Sequence, residues 1–211
     1  MSPGSGIAVF GGTFDPIHQG HLAVAKDVKA RLGFQEVVFV PAGDPWLKAD
    51  REVTAAEHRL EMVRLAVDGN PGFGVSTIEI DRPGPSYTVD TMEQLRRELG
   101  PGARLAFVLG ADALAGLDAW KEPQRLIQLC CLVAFARPGF PLPALEPLEA
   151  AIPGLSRRVT FVEVSQVDVS ASDIRRRVAK GLPIRGMVPE AVERYILEHR
   201  LYKGPLGATG A

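Results

Sequence analysis

The sequence predicts an α/β fold with a doubly wound, mainly parallel sheet that carries helices on both faces. Short apolar runs rich in Val, Ile and Phe recur along the chain, and helix-length segments separate them. The runs are IAVF (7–10), VVFV (37–40), FGVSTIEI (73–80), RLAFVLG (104–110), CLVAFA (131–136) and RVTFVEV (158–164). This alternation is typical of βαβ units with right-handed crossovers, so we expect a Rossmann-like sheet.

Signals for individual helices lie between these runs. Thr54 and Glu57 fit a capping box that opens a helix running to about Asp68. Pro189 fits the first turn of a helix that ends near His199. Because ligands bind beyond the carboxyl ends of strands in open parallel sheets, the loops after the first, second, fourth and sixth runs should converge on one crevice.

Length and composition favour one globular domain that handles small molecules. The chain has 211 residues, of which 46% are hydrophobic and 23% charged, and its formal net charge is −1. We expect a single domain over residues 1–203, with a helical C-terminal portion over about 170–203 and a disordered tail over 204–211. A chain this close to neutrality lacks the basic footprint that nucleic-acid binding needs.

The sequence also predicts a cytoplasmic protein without a membrane segment. The longest apolar stretch, LIQLCCLVAFA (126–136), is far shorter than the ~20 residues that span a bilayer, and a glutamine interrupts it. The first residues, MSPGSG, have neither the basic region nor the apolar core of a signal peptide.

The stretch GGTFDPIHQGH (11–21), directly after the first apolar run, is the strongest candidate for chemistry. Gly11 and Gly12 would let backbone N–H groups approach an anion without a Cβ in the way. If a helix begins near His18, then His18 and His21 share one face of its first turn, beside the partial positive charge of the helix end. A strand-to-helix turn with incidental histidines is the plainer alternative.

A second stretch, VDVSASDIRRR (167–177), follows a strand and opens a helix. Ser170 or Ser172 would cap that helix, and Arg175 would project from its first turn, where a phosphate could meet both N–H groups and a guanidinium. A capped helix with a solvated arginine face would show the same pattern.

The first stretch resembles the signature loop of the nucleotidyltransferases that share a His-x-Gly-His motif. The resemblance implies transfer of a nucleotidyl group from a nucleoside triphosphate. It places these residues at ATP: Gly11, Gly12, Thr13, Phe14, His18 and His21. In the second stretch, Ser170, Ser172 and Arg175 match the Ile-Ser-x-Thr-x-x-Arg pattern that binds the triphosphate in this family, although Val169 replaces Ile and Ser172 replaces Thr.

The middle and end of the chain resemble the bacterial nicotinate-nucleotide adenylyltransferases, and the match runs from about Ile7 to Lys203. The matching stretches are PAGDPWLK (41–48), EHRLEM (57–62), GPSYTVDT (84–91), VLGAD (108–112), Trp120 and PEAVERYILEHRLY (189–202). The implied reaction joins the 5′-phosphate of nicotinate mononucleotide to the α-phosphorus of ATP, and pyrophosphate leaves. Many members have Pro-Pro-His-Lys where this chain has Pro45-Trp46-Leu47-Lys48, so only the lysine is kept.

The resemblance also assigns roles to single residues. His18, His21, Lys48 and Arg175 would offset the charge that builds on pyrophosphate, with Mg²⁺ held by phosphate oxygens and water and no metal ligand from protein side chains. Gly110 and Asp112 would contact ATP, and Ser86, Tyr87, Thr88 and Trp120 would contact nicotinate mononucleotide. From the residues alone, Thr88 could equally be a helix cap and Trp120 a core residue.

Rival interpretations stay open at this point. The closest is an adenylyltransferase for another acceptor, such as phosphopantetheine or nicotinamide mononucleotide. A tRNA synthetase fits poorly, because the chain has no Lys-Met-Ser-Lys-Ser-like loop and no basic excess. A non-catalytic nucleotide sensor is a third possibility. A homodimer or higher homo-oligomer is also left open.

Overall fold

The computed structural model describes residues 6–45, 53–136, 142–165 and 167–203, and within them the predicted doubly wound α/β fold is confirmed. The strands are β1 (Gly6–Gly12), β2 (Glu36–Pro41), β3 (Phe73–Val75), β4 (Arg104–Gly110), β5 (Cys131–Phe135) and β6 (Val159–Val162). They form one sheet in the order β3-β2-β1-β4-β5-β6, and every neighbouring pair is parallel. This is the strand order of a Rossmann-like sheet.

Helices connect the strands and cover both faces of the sheet. They are α1 (Gln19–Leu32), α2 (Ala56–Val67), α3 (Thr88–Leu99), α4 (Ala111–Ala115), α5 (Pro123–Leu129), α6 (Glu146–Ala151), α7 (Ala171–Ala179) and α8 (Glu190–Glu198). Because parallel strands need crossovers, these helices are what allows consecutive strands to run in one direction.

Alternate side chains of the strands divide the apolar core into two layers. From β1, Ala8 and Phe10 enter one layer and Val9 enters the other. The first layer also holds α1, α2, α7 and α8, for example through Ile174 and Ile196. The second layer holds α3, α5 and α6. The C-terminal helices therefore share a core with the N-terminal strand.

Local sequence signals predicted some helix starts and missed others. Ser170, one of the two serines predicted as caps, is the N-cap of α7, and its side chain accepts a hydrogen bond from the Asp173 N–H. The capping box predicted for Thr54 and Glu57 is wrong: α2 begins at Ala56, and no side chain caps it. Thr54 instead gives its carbonyl to a buried arginine. β3 is shorter than the predicted run 73–80, since the chain turns after Val75.

Candidate active site

A cavity of about 570 Å³ opens at the carboxyl ends of the strands. It lies where the strand order reverses between β1 and β4, the point at which open parallel sheets bind ligands. Loops after β1, β2, β4, β5 and β6 line it. The predicted site residues among its lining are Gly11, Gly12, Thr13, Phe14, His18, His21, Ser86, Thr88, Gly110, Asp112, Trp120, Ser170, Ser172 and Arg175. Lys48 lies outside the described residues.

The two histidines of the first stretch stack on each other at the start of α1. Their ring centroids are 3.7 Å apart and the ring planes are inclined by 28°. The backbone N–H of His18 donates to Nδ1 of His21 at 3.2 Å, so a neutral His21 carries its proton on Nε2. Gly20 makes room for this pair, because a Cβ there would lie 3.1 Å from the His18 ring.

The glycines that end β1 make room for aromatic rings. A Cβ on Gly11 would lie 2.9 Å from the ring of Phe107, and one on Gly12 would lie 3.0 Å from the ring of Phe14. Any larger residue at either position would displace a ring that forms the cavity wall. The glycines therefore have a packing role that the sequence did not reveal, while close approach of their backbone N–H groups to an anion stays a prediction.

The side chain of Phe14 packs against that of His21 and orients it. Its backbone φ is +48°, an uncommon value for a bulky side chain. The ring is buried and meets the His21 imidazole edge to face, with centroids 5.1 Å apart and an interplanar angle of 81°. The unusual backbone conformation thus brings an apolar ring against a candidate phosphate-binding side chain.

Arg59 of α2, which no sequence signal singled out, is 1% exposed and joins three segments of backbone. Its Nη1 donates to the carbonyl of Thr13 at 2.9 Å, its Nη2 to that of Gly43 at 3.1 Å and its Nε to that of Thr54 at 2.7 Å. Burial lowers the pKa of this guanidinium, and the Asp15 carboxyl acts in the opposite direction. The three acceptors compensate for the burial of its N–H groups.

Arg175 reaches back from α7 to the loop after β1. Its Nη1 donates to the carbonyl of Asp15 at 2.6 Å, and its Nη2 donates to Ser172 Oγ at 3.2 Å. The Asp15 side chain is 2% exposed and accepts a hydrogen bond from the Tyr202 hydroxyl at 2.9 Å. Burial, and then the charge of Asp15, raise the pKa of Tyr202.

The start of α1 is also held from the far end of the chain. The N–H of Gln19 donates to the carbonyl of Met187 at 2.9 Å, and that of His21 donates to the His18 carbonyl at 3.0 Å. These two N–H groups of the first turn are therefore engaged within the protein. An anion in the cavity would meet the imidazoles and the Arg175 guanidinium more directly than it would meet these two amides.

The second group of predicted residues lies on the other side of the sheet. Thr88 is the first residue of α3 and lines the cavity. Half-buried Trp120 also lines it and meets Phe107 edge to face, with centroids 6.1 Å apart. The Tyr87 ring lies outside the cavity lining, with the Nζ of Lys121 4.8 Å from its centroid.

Ser86 joins the loop that precedes α3 to the loop after β2 by hydrogen bonds. Its Oγ accepts hydrogen bonds from the N–H of Gly43 at 3.0 Å and of Asp44 at 3.2 Å, and its own N–H donates to the Asp44 carbonyl at 2.9 Å. The side chain is 8% exposed. These hydrogen bonds therefore connect the loop after β2 to the loop before α3.

Glu79 is a buried carboxyl on the cavity wall that sequence reasoning also missed. It is 6% exposed and accepts a hydrogen bond from the Thr91 hydroxyl at 2.7 Å. Burial raises its pKa above the ordinary value, while hydrogen bonds from Thr91 and Ser86 and the charge of Arg82 act against the rise.

Two further observations concern metal ions and membranes. Over the ranges that the structure describes, no group of three or more His, Cys, Asp or Glu side chains is placed to hold a metal ion. No helix in those ranges is both long enough and apolar enough to cross a membrane.

Strand order, the cavity at the switch point and the paired histidines define a protein of the nucleotidyltransferase class. In agreement, the sequence profile of the cytidylyltransferase-like family matches residues 9–177. The "Probable nicotinate-nucleotide adenylyltransferase" of Thermomicrobium roseum is 47% identical over 199 residues, which cover 94% of this chain and 92% of that protein. The chain belongs to the cytidylyltransferase-like family and, within it, to the nicotinate-nucleotide adenylyltransferases, and it is therefore an enzyme.

Other relatives agree with this assignment. A protein of the same name from Dehalococcoides mccartyi is 45% identical over 194 residues, covering 92% of this chain and 95% of its own length. Among solved structures, the Plasmodium falciparum nicotinic acid mononucleotide adenylyltransferase complexed with NaAD superimposes with a TM-score of 0.77 at 20% identity, covering 96% of this chain and 99% of that one. At that identity the superposition shows that the fold is shared.

Proposed function

We propose that this chain transfers the adenylyl group of ATP to the 5′-phosphate of nicotinate mononucleotide, giving nicotinate adenine dinucleotide and pyrophosphate in NAD biosynthesis. One observation carries the proposal: a single cavity joins two sets of residues from opposite layers of the fold. The layer of α1 and α7 supplies the histidine pair and Arg175. The layer of α3 supplies the acceptor side, with Thr88 and Trp120.

At the ATP end, the histidine pair would stabilise charge on the leaving pyrophosphate. Nδ1 of His21 accepts a hydrogen bond from the His18 backbone N–H. The Nε2–H of His21 is therefore the group that would donate a hydrogen bond to a phosphate oxygen. Preorganised donors of this kind stabilise charge that develops in the transition state. Arg175 adds a guanidinium from α7. The role proposed for Lys48, binding of the triphosphate, rests on the family resemblance alone.

At the acceptor end, the site would recognise a pyridine ring that bears a carboxylate. The first turn of α3, which begins at Thr88, presents backbone N–H groups of the kind that bind anions. Trp120 offers an aromatic face, and exposed Asp112 in the first turn of α4 offers a carboxylate to ribose hydroxyls. This arrangement would favour nicotinate over nicotinamide mononucleotide, because the partial positive charge at a helix N-terminus stabilises a carboxylate more than a neutral amide.

The chemistry would be a direct in-line displacement. The attacking phosphate oxygen is already anionic, so neither a general base nor a covalent enzyme intermediate is needed. Mg²⁺ would be held by the ATP phosphates and water, the coordination this ion favours with nucleotides. The chain's own residues would align the two phosphates and neutralise pyrophosphate.

Pyrophosphate release with ATP and each acceptor in turn tests this proposal. We expect the highest kcat/KM with nicotinate mononucleotide, a lower value with nicotinamide mononucleotide, and no turnover with nicotinate riboside, which lacks the attacking phosphate. Faster turnover of phosphopantetheine than of nicotinate mononucleotide would refute the assignment. ATP made chiral at the α-phosphorus with sulfur separates the mechanisms, because a single displacement inverts the configuration and a covalent intermediate retains it.

A further inference from the structure

The two halves of the cavity are connected by a chain of hydrogen bonds that begins at the buried side chain of Arg59. Its guanidinium holds the Thr13 carbonyl, in the loop that precedes the histidine pair, and the Gly43 carbonyl, in the loop after β2. An arginine can bridge two such carbonyls because its N–H donors lie in a rigid planar fork. At 1% exposure, the side chain has no access to bulk water as an alternative partner.

Gly43 is the junction of this connection. Its carbonyl accepts from Arg59, while its N–H donates to Ser86 Oγ at 3.0 Å. A Cβ at this position would lie 2.2 Å from the carbonyl oxygen of Glu79, so a larger residue would push the two loops apart. The junction therefore holds a fixed spacing between the loop after β2 and the segment that leads to α3.

From Ser86 the connection continues into α3. Ser86 lies two residues before Thr88, the first residue of α3, and the Glu79 carboxyl accepts from the Thr91 hydroxyl in the first turn of that helix at 2.7 Å. Arg82 donates to the same hydroxyl at 3.0 Å. These contacts thus link the loop that contains Thr13 to the start of α3.

We propose that Arg59 is a positioning residue that sets the spacing between the two substrate half-sites through Gly43 and Ser86. It touches neither substrate. Its effect is to hold the Thr13 loop, and so the histidine pair, at a fixed distance from the start of α3. Only the identity of the acceptor rests on the proposed function, because the hydrogen bonds are independent of it.

A residue that only stabilises the fold would behave differently from one that positions two loops. Loss of general stability lowers the melting temperature without changing the turnover of the molecules that remain folded. Loss of positioning lowers kcat in folded enzyme, because misalignment of about 1 Å can cost roughly 100-fold in rate. It also loosens a loop that lies distant in sequence from the substituted residue.

The first test compares Arg59→Lys with Arg64→Lys, a change at an exposed arginine of the same helix whose side chain pairs with Glu61 at 3.7 Å. Lysine keeps the charge but lacks the fork that bridges Thr13 and Gly43. We expect Arg59→Lys to lower kcat by about 10- to 100-fold, with a change in the KM for ATP of less than about threefold. Arg64→Lys should match wild type. An unchanged kcat in folded Arg59→Lys overturns the proposal.

The second test uses hydrogen exchange and needs no acceptor. Ser86→Ala should increase deuterium uptake in the peptide that covers residues 11–21, and Arg59→Lys should increase uptake over residues 84–91. Unchanged uptake in residues 11–21 of Ser86→Ala overturns the connection, even if Arg59→Lys does not fold. On kcat, the double variant should lie close to the worse single variant, whereas independent residues would give multiplied effects.

These outcomes separate the two proposals. If wild-type enzyme prefers another acceptor, the proposed function fails, while the exchange results and the kcat effect with that acceptor still decide the role of Arg59. If nicotinate mononucleotide is the preferred acceptor and neither the exchange nor kcat responds, only the positioning role fails.

Discussion

The Tyr202 hydroxyl donates a 2.9 Å hydrogen bond to Oδ1 of Asp15, which precedes it by 187 positions. Asp15 in turn gives its backbone carbonyl to Arg175 at 2.6 Å. Tyr202 therefore lies two contacts away from a guanidinium that we assign to the ATP phosphates.

Replacement of Tyr202 by Phe should lower both stability and turnover. The buried Asp15 carboxyl loses a hydrogen bond, which should lower the free energy of unfolding by about 1–3 kcal/mol in a urea titration. Kcat should fall because the loop that orients Arg175 is less fixed. Tyr195→Phe is the matched control, since its hydroxyl hydrogen-bonds half-buried His58 between α2 and α8, outside the cavity lining. Wild-type kcat in Tyr202→Phe would contradict the coupling.

The histidine pair gives the most direct prediction about catalysis. His18→Ala and His21→Ala should each lower kcat by about 100- to 1000-fold, the usual effect of removing a donor to transition-state charge. Circular dichroism should remain that of the wild type. His199→Ala, at the exposed residue that follows α8, serves as the control. Full activity in either of the first two variants would refute the assigned role.

Gly20→Ala should separate activity from stability. Alanine is favoured over glycine in helices by about 1 kcal/mol, so the free energy of unfolding should stay level or rise. The new Cβ would lie 3.1 Å from the His18 ring, so the stacked pair must shift and kcat should fall. Gly102→Ala is the control, because a Cβ there meets nothing within 4 Å. A variant that is stabilised and fully active would show that the position of the His18 ring is unimportant.

Glu79 predicts a pH dependence of stability. Burial raises its pKa in the folded state above the ordinary value of 4.5. Because the folded state binds the proton of Glu79 more tightly than the unfolded state does, this carboxyl contributes to the free energy of unfolding fully below about pH 4.5. The contribution is lost as the pH rises through the pKa of Glu79 in the folded state. Glu79→Gln should gain stability relative to wild type as pH increases from 4 to 8. Urea titrations across that range measure the difference, and Glu98→Gln, on the exposed surface of α3, should show none.

Much of the framework could be predicted because it depends on local patterns. Apolar runs separated by helix-length segments predicted the six strands described here, and the position of GGTFDPIHQGH after the first run placed the histidines at the cavity. The cap at Ser170 needs only its own neighbours, and it formed as predicted.

What the sequence could not predict depends on contacts across the fold. The acceptors of Arg59 lie 46, 16 and 5 positions away, and nothing in EHRLEM marks this arginine as buried. Glu79 is likewise an ordinary charged residue until the fold buries it. Gly11 and Gly12 were correctly placed at the cavity, yet the rings that need their space come from positions that no local pattern connects to them.

The start of α1, held by the carbonyl of Met187, has a consequence for synthesis on the ribosome. The loop that carries His18 and His21 is synthesised long before Met187 and Tyr202. Domains fold as units while the N-terminal part emerges first. A nascent chain that has already formed its sheet and exposed its histidines would therefore still lack the contacts that hold them, so we expect catalytic competence to arise only after the segment that contains Met187 and Tyr202 has emerged and docked.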